Sequence, residues 1–453
     1  MSGNFISELL QSITDRGREL LAKARGAEDV SALGLARLAG ELLTRRGEAT
    51  GVALAEDVLT RYGQLSADGR RDFLIQLAKE FGPDRAGLER AIDAYRQEPS
   101  EVNALLLHEA AEPRRQEVIR RLNQAPGGTA ALVHMREDLF VSERARPELK
   151  ALDADFRHLF SSWFNRGFLV LRRIDWTTPA NILEKIIRYE AVHEIQNWDD
   201  LRRRIEPSDR RCFAFFHPRL GDEPLIFVEV ALTQTMPDAI APLLASERPI
   251  IKGTQANTAV FYSISNCQEG LRGISFGNFL IKQVVEELRR EWPKLSTFVT
   301  LSPVPDFARW LDGELVSETS ILPADLRQTL APLKGGSQTP PTELLRKPLL
   351  AAAALYFTQG KTAKGGGPRD SVARFHLGNG ARLERINWHG DLSKKGLAQA
   401  HGLMVNYLYE LDDIEANHEA FADRGEIITS GEVRQLLKRK ASGLRAAPEA
   451  AAG

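Results

Sequence analysis

The segment from Thr258 to Arg290 constrains this chain most. Thr258-Ala259-Val260-Phe261-Tyr262-Ser263-Ile264 is an apolar run rich in β-branched and aromatic residues, the composition of a buried strand. Gly270, Gly273 and Gly277 follow it, and an amphipathic helix is predicted from about Gly277 to Arg290. Strand, glycine turn and helix in that order belong to a mixed α/β fold. Glycines leave backbone N–H groups bare, and a helix N-terminus adds partial positive charge. Together they make a cradle for an anion such as a pyrophosphate. An ordinary strand-to-helix turn has the same composition. The spacing lacks the Gly-Lys-Ser/Thr ending of a Walker loop and is not G-x-G-x-x-G.

The texture of the chain changes near residue 165. Before it, apolar residues recur at helical spacing: Phe5, Ile6, Leu9, Leu10 and Ile13, then Phe73, Leu74, Leu77 and Phe81. The breaks are short and polar, and a bundle of about seven or eight helices is expected. Arg114 to Asn123 reads as a basic surface helix stopped by Pro126-Gly127-Gly128; docking against a second domain is the other reading. After residue 165, strands are predicted at 168–171, 212–216, 225–232, 258–264 and 297–301, with helices between some of them. Later segments read as a strand at 373–377, a Gly378-Asn379-Gly380 hairpin turn and a strand at 382–388. A helix from Ser393 to Glu410 and a frayed Ala-rich end follow. The glycine-rich stretch Gly360 to Arg369 reads as a surface loop, or as a source of cations for phosphates.

The chain's 453 residues allow two or three domains. Lys+Arg 60 against Asp+Glu 61 argues against a dedicated nucleic-acid binder. Cys212 and Cys267 form neither a metal pattern nor a disulfide framework. No stretch has the length and apolarity of a membrane span, and no secretory signal is apparent, so a cytoplasmic protein is expected.

Two residues could carry chemistry. Ser302 follows the strand 297–301 and precedes Pro303. That places a hydroxyl at the carboxyl edge of a sheet, where α/β folds build sites; a Ser-Pro turn capping a helix at 304–313 explains it equally. His376, read on a period-two strand, shares a face with Arg374 and projects away from Ala373, Phe375 and Leu377. A structural histidine would look the same. No zinc-protease helix, nucleophile elbow or paired-cysteine pattern occurs, and no metal is expected.

Several phrases together carry a resemblance. They are Phe-Tyr-Ser-Ile-Ser at 261–265, Gly277 to Lys282, Leu301-Ser302-Pro303-Val304-Pro305-Asp306-Phe307, Phe375 to Gly380, Arg385 to Trp388 and Gly402 to Tyr407. In this order and at these distances the chain resembles the malonyl-CoA decarboxylase family over most of residues 165–425. The glycine turn also resembles the loop by which acetyltransferase-like folds hold coenzyme A. The resemblance implies an all-helical oligomerisation bundle (residues 1–150) followed by an acetyltransferase-like (GNAT-type) mixed α/β catalytic domain (residues 151–453). It implies coenzyme A binding by Arg272, Gly273, Ile274, Ser275, Phe276, Gly277 and Asn278. It implies a catalytic Ser302 and His376, with Tyr409 beside them, and a homo-tetramer. Some members carry a glutamate where this chain has Ser275. The implied reaction turns malonyl-CoA into acetyl-CoA and carbon dioxide with no separate cofactor, coenzyme A being part of the substrate. An ordinary histidine pKa of about 6.5 suits proton delivery near neutrality. An acyl-CoA-dependent N-acyltransferase, or a coenzyme A sensor without catalysis, would use the same cradle.

Overall fold

The computed structural model describes residues 31–44, 47–142, 146–274, 280–336, 339–362 and 367–438. By packing, these fall into two compact units. The first holds the chain up to Val170 and recruits Phe215–Leu225 and Cys267–Gly277; the second holds the rest.

The first unit is helical, as the periodicity predicts. Among the described residues its helices are Ala32–Thr44, Glu48–Gln64, Ala67–Glu80, Arg85–Gln97, Glu101–Ala111, Arg114–Leu122, Gly128–Ser142 and Pro147–Trp163. Local chemistry sets their ends. Ser66 Oγ accepts from Gly69 N at 3.1 Å, Ser100 Oγ accepts from Asn103 N at 3.2 Å, and Pro147 opens the last helix. Phe73, Leu74, Leu77, Phe156 and Phe160 are buried. The basic segment at 114–122 differs from its reading as a surface helix. It buries Val118, Ile119 and Leu122, and Arg115 Nε donates to the buried Asp155 carboxylate at 2.5 Å. The predicted helical stretch at Phe5–Ile13 and the Ala-rich end lie outside the described residues.

Among the described residues the sheet has eight strands: β1 (Val170–Ile174), β2 (Arg210–Phe216), β3 (Pro224–Thr233), β4 (Thr258–Asn266), β5 (Thr297–Thr300), β6 (Ser302–Pro303), β7 (Arg382–Asn387) and β8 (Met404–Leu408). The order is β1-β2-β3-β4-β5-β8-β6, and β7 also pairs β8. β4 and β5 run parallel; β3 with β4, and β8 with β5, β6 and β7, run antiparallel. A parallel pair needs a crossover, and the helix Leu280–Glu291 supplies it. This is the expected mixed α/β domain.

The fork between β4 and β5 positions the site. Their pairing runs from Thr258↔Thr297 to Phe261↔Thr300, and Leu301 N donates to Phe261 O at 3.0 Å. Beyond that point β4 continues beside β3, with Ile264 opposite Val228. Ser302 is the next residue on the other branch, where β6 pairs with β8 (Ser302↔Val405). It does not cap a helix; the following helix is Phe307–Val316.

Two predicted elements are corrected. Residues 373–377 are helical, within Ser371–Gly378, not a strand. Asp370 caps that helix, its Oδ1 accepting from Ala373 N at 2.8 Å. Ala373, His376 and Leu377 are also spaced i, i+3, i+4, so the pattern fits a helix whose inner face includes the histidine. Gly378-Asn379-Gly380 accordingly ends a helix, not a hairpin, with Gly380 at φ +80°. The predicted helix Ser393 to Glu410 also differs, splitting in two. Lys394–Ala400 is helical, His401 (φ +50°) and Gly402 (φ +85°) turn left-handed, and Met404–Leu408 is β8.

Candidate active site

Ser302, His376 and Tyr409 come together in the second unit, each from a different element. Ser302 lies on β6, His376 on the inner face of the helix Ser371–Gly378, and Tyr409 just past β8, where its N–H donates to Phe298 O at 2.8 Å. His376 Nε2 lies 3.2 Å from Ser302 Oγ, and Nδ1 lies 2.8 Å from the Tyr409 hydroxyl. All three are buried, with relative exposures of 5%, 3% and 2%. The reading that His376 projects away from the apolar face is therefore overturned: helical geometry turns it inward.

The surroundings hold the ring in place. Tyr407 stacks on His376 with centroids 4.7 Å apart and planes 25° from parallel. Ser302 Oγ donates to Thr300 Oγ1 at 2.9 Å, and Tyr407 N donates to the same oxygen at 3.2 Å. Asp370 fixes the start of the histidine's helix and accepts from the Tyr356 hydroxyl at 3.2 Å.

Burial sets the protonation states. It pushes the His376 imidazolium down to about 3 and the Tyr409 phenol well above its ordinary range, and it raises the Asp370 carboxyl to about 6. Near neutrality His376 is thus an uncharged imidazole, not the half-protonated group its ordinary pKa implied. The assembly is a buried, neutral chain of hydrogen-bonding groups, able to hold or pass a proton between a hydroxyl and an imidazole.

The glycine turn belongs to the other unit. Glu269–Leu271 forms a 3-10 turn bolted to the helix Gly128–Ser142. Arg136, itself buried, donates through Nη1 to Gly270 O at 2.8 Å and to Arg272 O at 3.0 Å. Gly270 N donates to Glu137 Oε1 at 3.2 Å. A Cβ at Gly270 would lie 2.0 Å from the Val133 carbonyl oxygen, so only glycine fits. The Arg272 guanidinium sits 4.2 Å from the Phe140 ring centroid and pairs with Glu269. Gly273 adopts φ +78° and Ile274 is buried. Ser275, Phe276, Gly277 and Asn278 lie outside the described residues, as do residues 363–366 of the Gly360–Arg369 stretch.

Sequence reading missed the supports. Thr300 stands two residues before Ser302, the spacing that puts both on one face of an extended chain. Asp370-Ser371 is a helix-start signal, but the residues after it also fit a strand pattern. For Arg136 and Glu137, in a helix remote in sequence from the turn, no local signal existed.

Comparison with known proteins agrees with this architecture. Residues 167–447 match the model of the malonyl-CoA decarboxylase C-terminal domain, and residues 81–164 match that of the N-terminal domain. The malonyl-CoA decarboxylase structure from Rhodopseudomonas palustris superposes with a TM-score of 0.84 at 58% identity, covering 89% of this chain and 99% of that one. The one from Agrobacterium vitis gives 0.83 at 57%, with the same coverage. The mitochondrial malonyl-CoA decarboxylase of Anser anser anser is 36% identical over 415 residues, 83% of this chain and 82% of that protein. With both of its domain models matched in order and relatives similar along most of their length, the chain belongs to the malonyl-CoA decarboxylase family.

Proposed function

We propose that this chain converts malonyl-CoA to acetyl-CoA and carbon dioxide, with Ser302 and His376 handling the proton and Tyr409 holding the imidazole. The observation that carries this reading is the buried Tyr409–His376–Ser302 chain at the fork of β4 and β5. Loss of carbon dioxide breaks a C–C bond and sends its electrons into the thioester carbonyl, leaving an enolate. The thioester is itself the electron sink, so the reading needs no separate cofactor. One proton must then reach carbon.

The neutral resting site fits that balance. An arriving malonyl carboxylate places a negative charge near a desolvated imidazole, which favours its protonated form. One proton enters with the substrate. When the carboxylate departs as carbon dioxide, the enolate carbon takes a proton through the Ser302 hydroxyl, and the imidazole returns to neutral. The site ends with the charge it began with.

We further propose that Arg272 to Asn278 bind the coenzyme A pyrophosphate through backbone N–H groups. Residues 1–150 would act as an oligomerisation bundle for a homo-tetramer, with residues 151–453 as the catalytic domain. Exposed Val102, Leu105 and Leu106 on one short helix support a self-association role.

The test is product formation from malonyl-CoA alone. Acetyl-CoA and carbon dioxide should appear with no acceptor present, whereas an N-acyltransferase would require an amine. Ser302→Ala and His376→Ala should each lower turnover by roughly two to four orders of magnitude. Turnover like the wild type's in both variants removes the assignment.

A further inference from the structure

Thr300 is fully buried at one end of the polar chain, and its hydroxyl fixes the direction of every hydrogen bond in it. The Tyr407 N–H can only donate, and it reaches Thr300 Oγ1 at 3.2 Å; Ser302 Oγ donates to the same oxygen at 2.9 Å. A hydroxyl oxygen has two lone pairs, and both are taken. Ser302 spends its single hydrogen on Thr300 and has none for His376. The 3.2 Å contact between Ser302 Oγ and His376 is therefore an Nε2–H donating to the hydroxyl oxygen. A neutral imidazole has one ring hydrogen, so Nδ1 is bare and accepts from the Tyr409 hydroxyl at 2.8 Å.

We infer that Thr300 is a positioning residue that sets the polarity of the chain Tyr409→His376→Ser302→Thr300 and holds His376 as its Nε2–H tautomer. This rests on the proposed reaction, because that tautomer faces its proton toward the hydroxyl that supplies the enolate. It also gives Ser302 a parked state. Its hydrogen rests on Thr300 until a substrate oxygen or carbon offers a better acceptor, and swinging over does not disturb the Nε2–H···Oγ contact.

Nitrogen-15 NMR of histidine-labelled protein reads the tautomer directly, with the His376 signals assigned by their loss in His376→Gln. The wild type should show the bare, pyridine-like nitrogen at Nδ1. In Thr300→Val the acceptor is gone, the Ser302 hydrogen turns to Nε2, and the bare nitrogen should move there. The same variant should lose on the order of tenfold to a hundredfold in kcat with little change in KM, as expected for misorientation of a reacting group. Thr300→Ser should restore both tautomer and turnover. A bare Nε2 in the wild type would overturn the inference without any variant, even if Thr300→Val fails to fold. So would a folded Thr300→Val with unchanged tautomer and turnover. Full turnover in Ser302→Ala would instead sink the proposed reaction and leave the tautomer result standing.

Discussion

His376 shows how one residue's surroundings reset its chemistry. Its imidazole has hydroxyl partners at both nitrogens and an aromatic ring against its face, and burial alone lowers its pKa to about 3. Stability therefore depends on pH with a definite sign. The folded chain keeps the ring neutral down to about pH 3, while the unfolded chain protonates it below about 6.5. The residue's contribution is thus fully present above pH 6.5 and is lost as pH falls, at about 1.4 kcal/mol per pH unit. Denaturant unfolding at several pH values between 5 and 7.5 should give a shallower loss of stability on the acid side in His376→Gln than in the wild type. His193, pushed down to about 4 by burial, adds a slope of the same sign to both proteins and cancels in the comparison. Parallel curves for the two would mean that the ring is already solvated in the fold.

Among elements, the 3-10 turn at Glu269–Leu271 and the helix Gly128–Ser142 are held together by a buried arginine. Arg136 spends Nη1 on two carbonyls of the turn and Nε on Asp153 at 2.8 Å. Arg136→Met would leave two carbonyls and a carboxylate without that partner. If the turn begins the coenzyme A cradle, affinity for coenzyme A by isothermal titration should fall roughly tenfold, the equivalent of about 1.4 kcal/mol. KM for malonyl-CoA should rise while kcat holds. A folded variant with unchanged affinity would detach the turn from ligand binding. The same comparison shows what the sequence made legible. β4, the glycine turn and the crossover helix stood out because a β-branched run, glycines and a 3.6-residue period are local signals. Ser302 and His376 are ambiguous candidates by local pattern, and the resemblance of ordered phrases gives them a catalytic role; the strand reading of 373–377 fails because a five-residue pattern fits both periods. Arg382–Asn387 was legible as a strand; the helix predicted over 393–410 was not broken in advance, because His401-Gly402 stops it by backbone conformation rather than by proline. Partners distant in sequence, such as Arg136 for Gly270, leave no trace in a local window.

For the whole molecule, the question is what covers the apolar residues that folding leaves in water. The helices Arg85–Gln97 and Glu101–Ala111 bury no residue, although they lie in the middle of a helical unit rich in buried phenylalanine and leucine. Val102, Leu105 and Leu106 are 69%, 57% and 49% exposed. Their i, i+3, i+4 spacing sets them on one face of the helix, so they form a ridge rather than scattered contacts. A ridge of this kind costs solubility unless something buries it, and another copy of the chain is the partner the tetramer proposal names. Replacing both Leu105 and Leu106 by glutamate puts two charges into that face without touching a buried residue. Sedimentation should then show a smaller assembly than the wild type's, while the monomer's far-ultraviolet dichroism stays unchanged. The Tyr409–His376–Ser302 chain lies wholly in the other unit, so turnover per subunit should persist in the dissociated form. An assembly of unaltered mass would show that the ridge is not where subunits meet, and a wild type that sediments as a monomer would end the tetramer proposal.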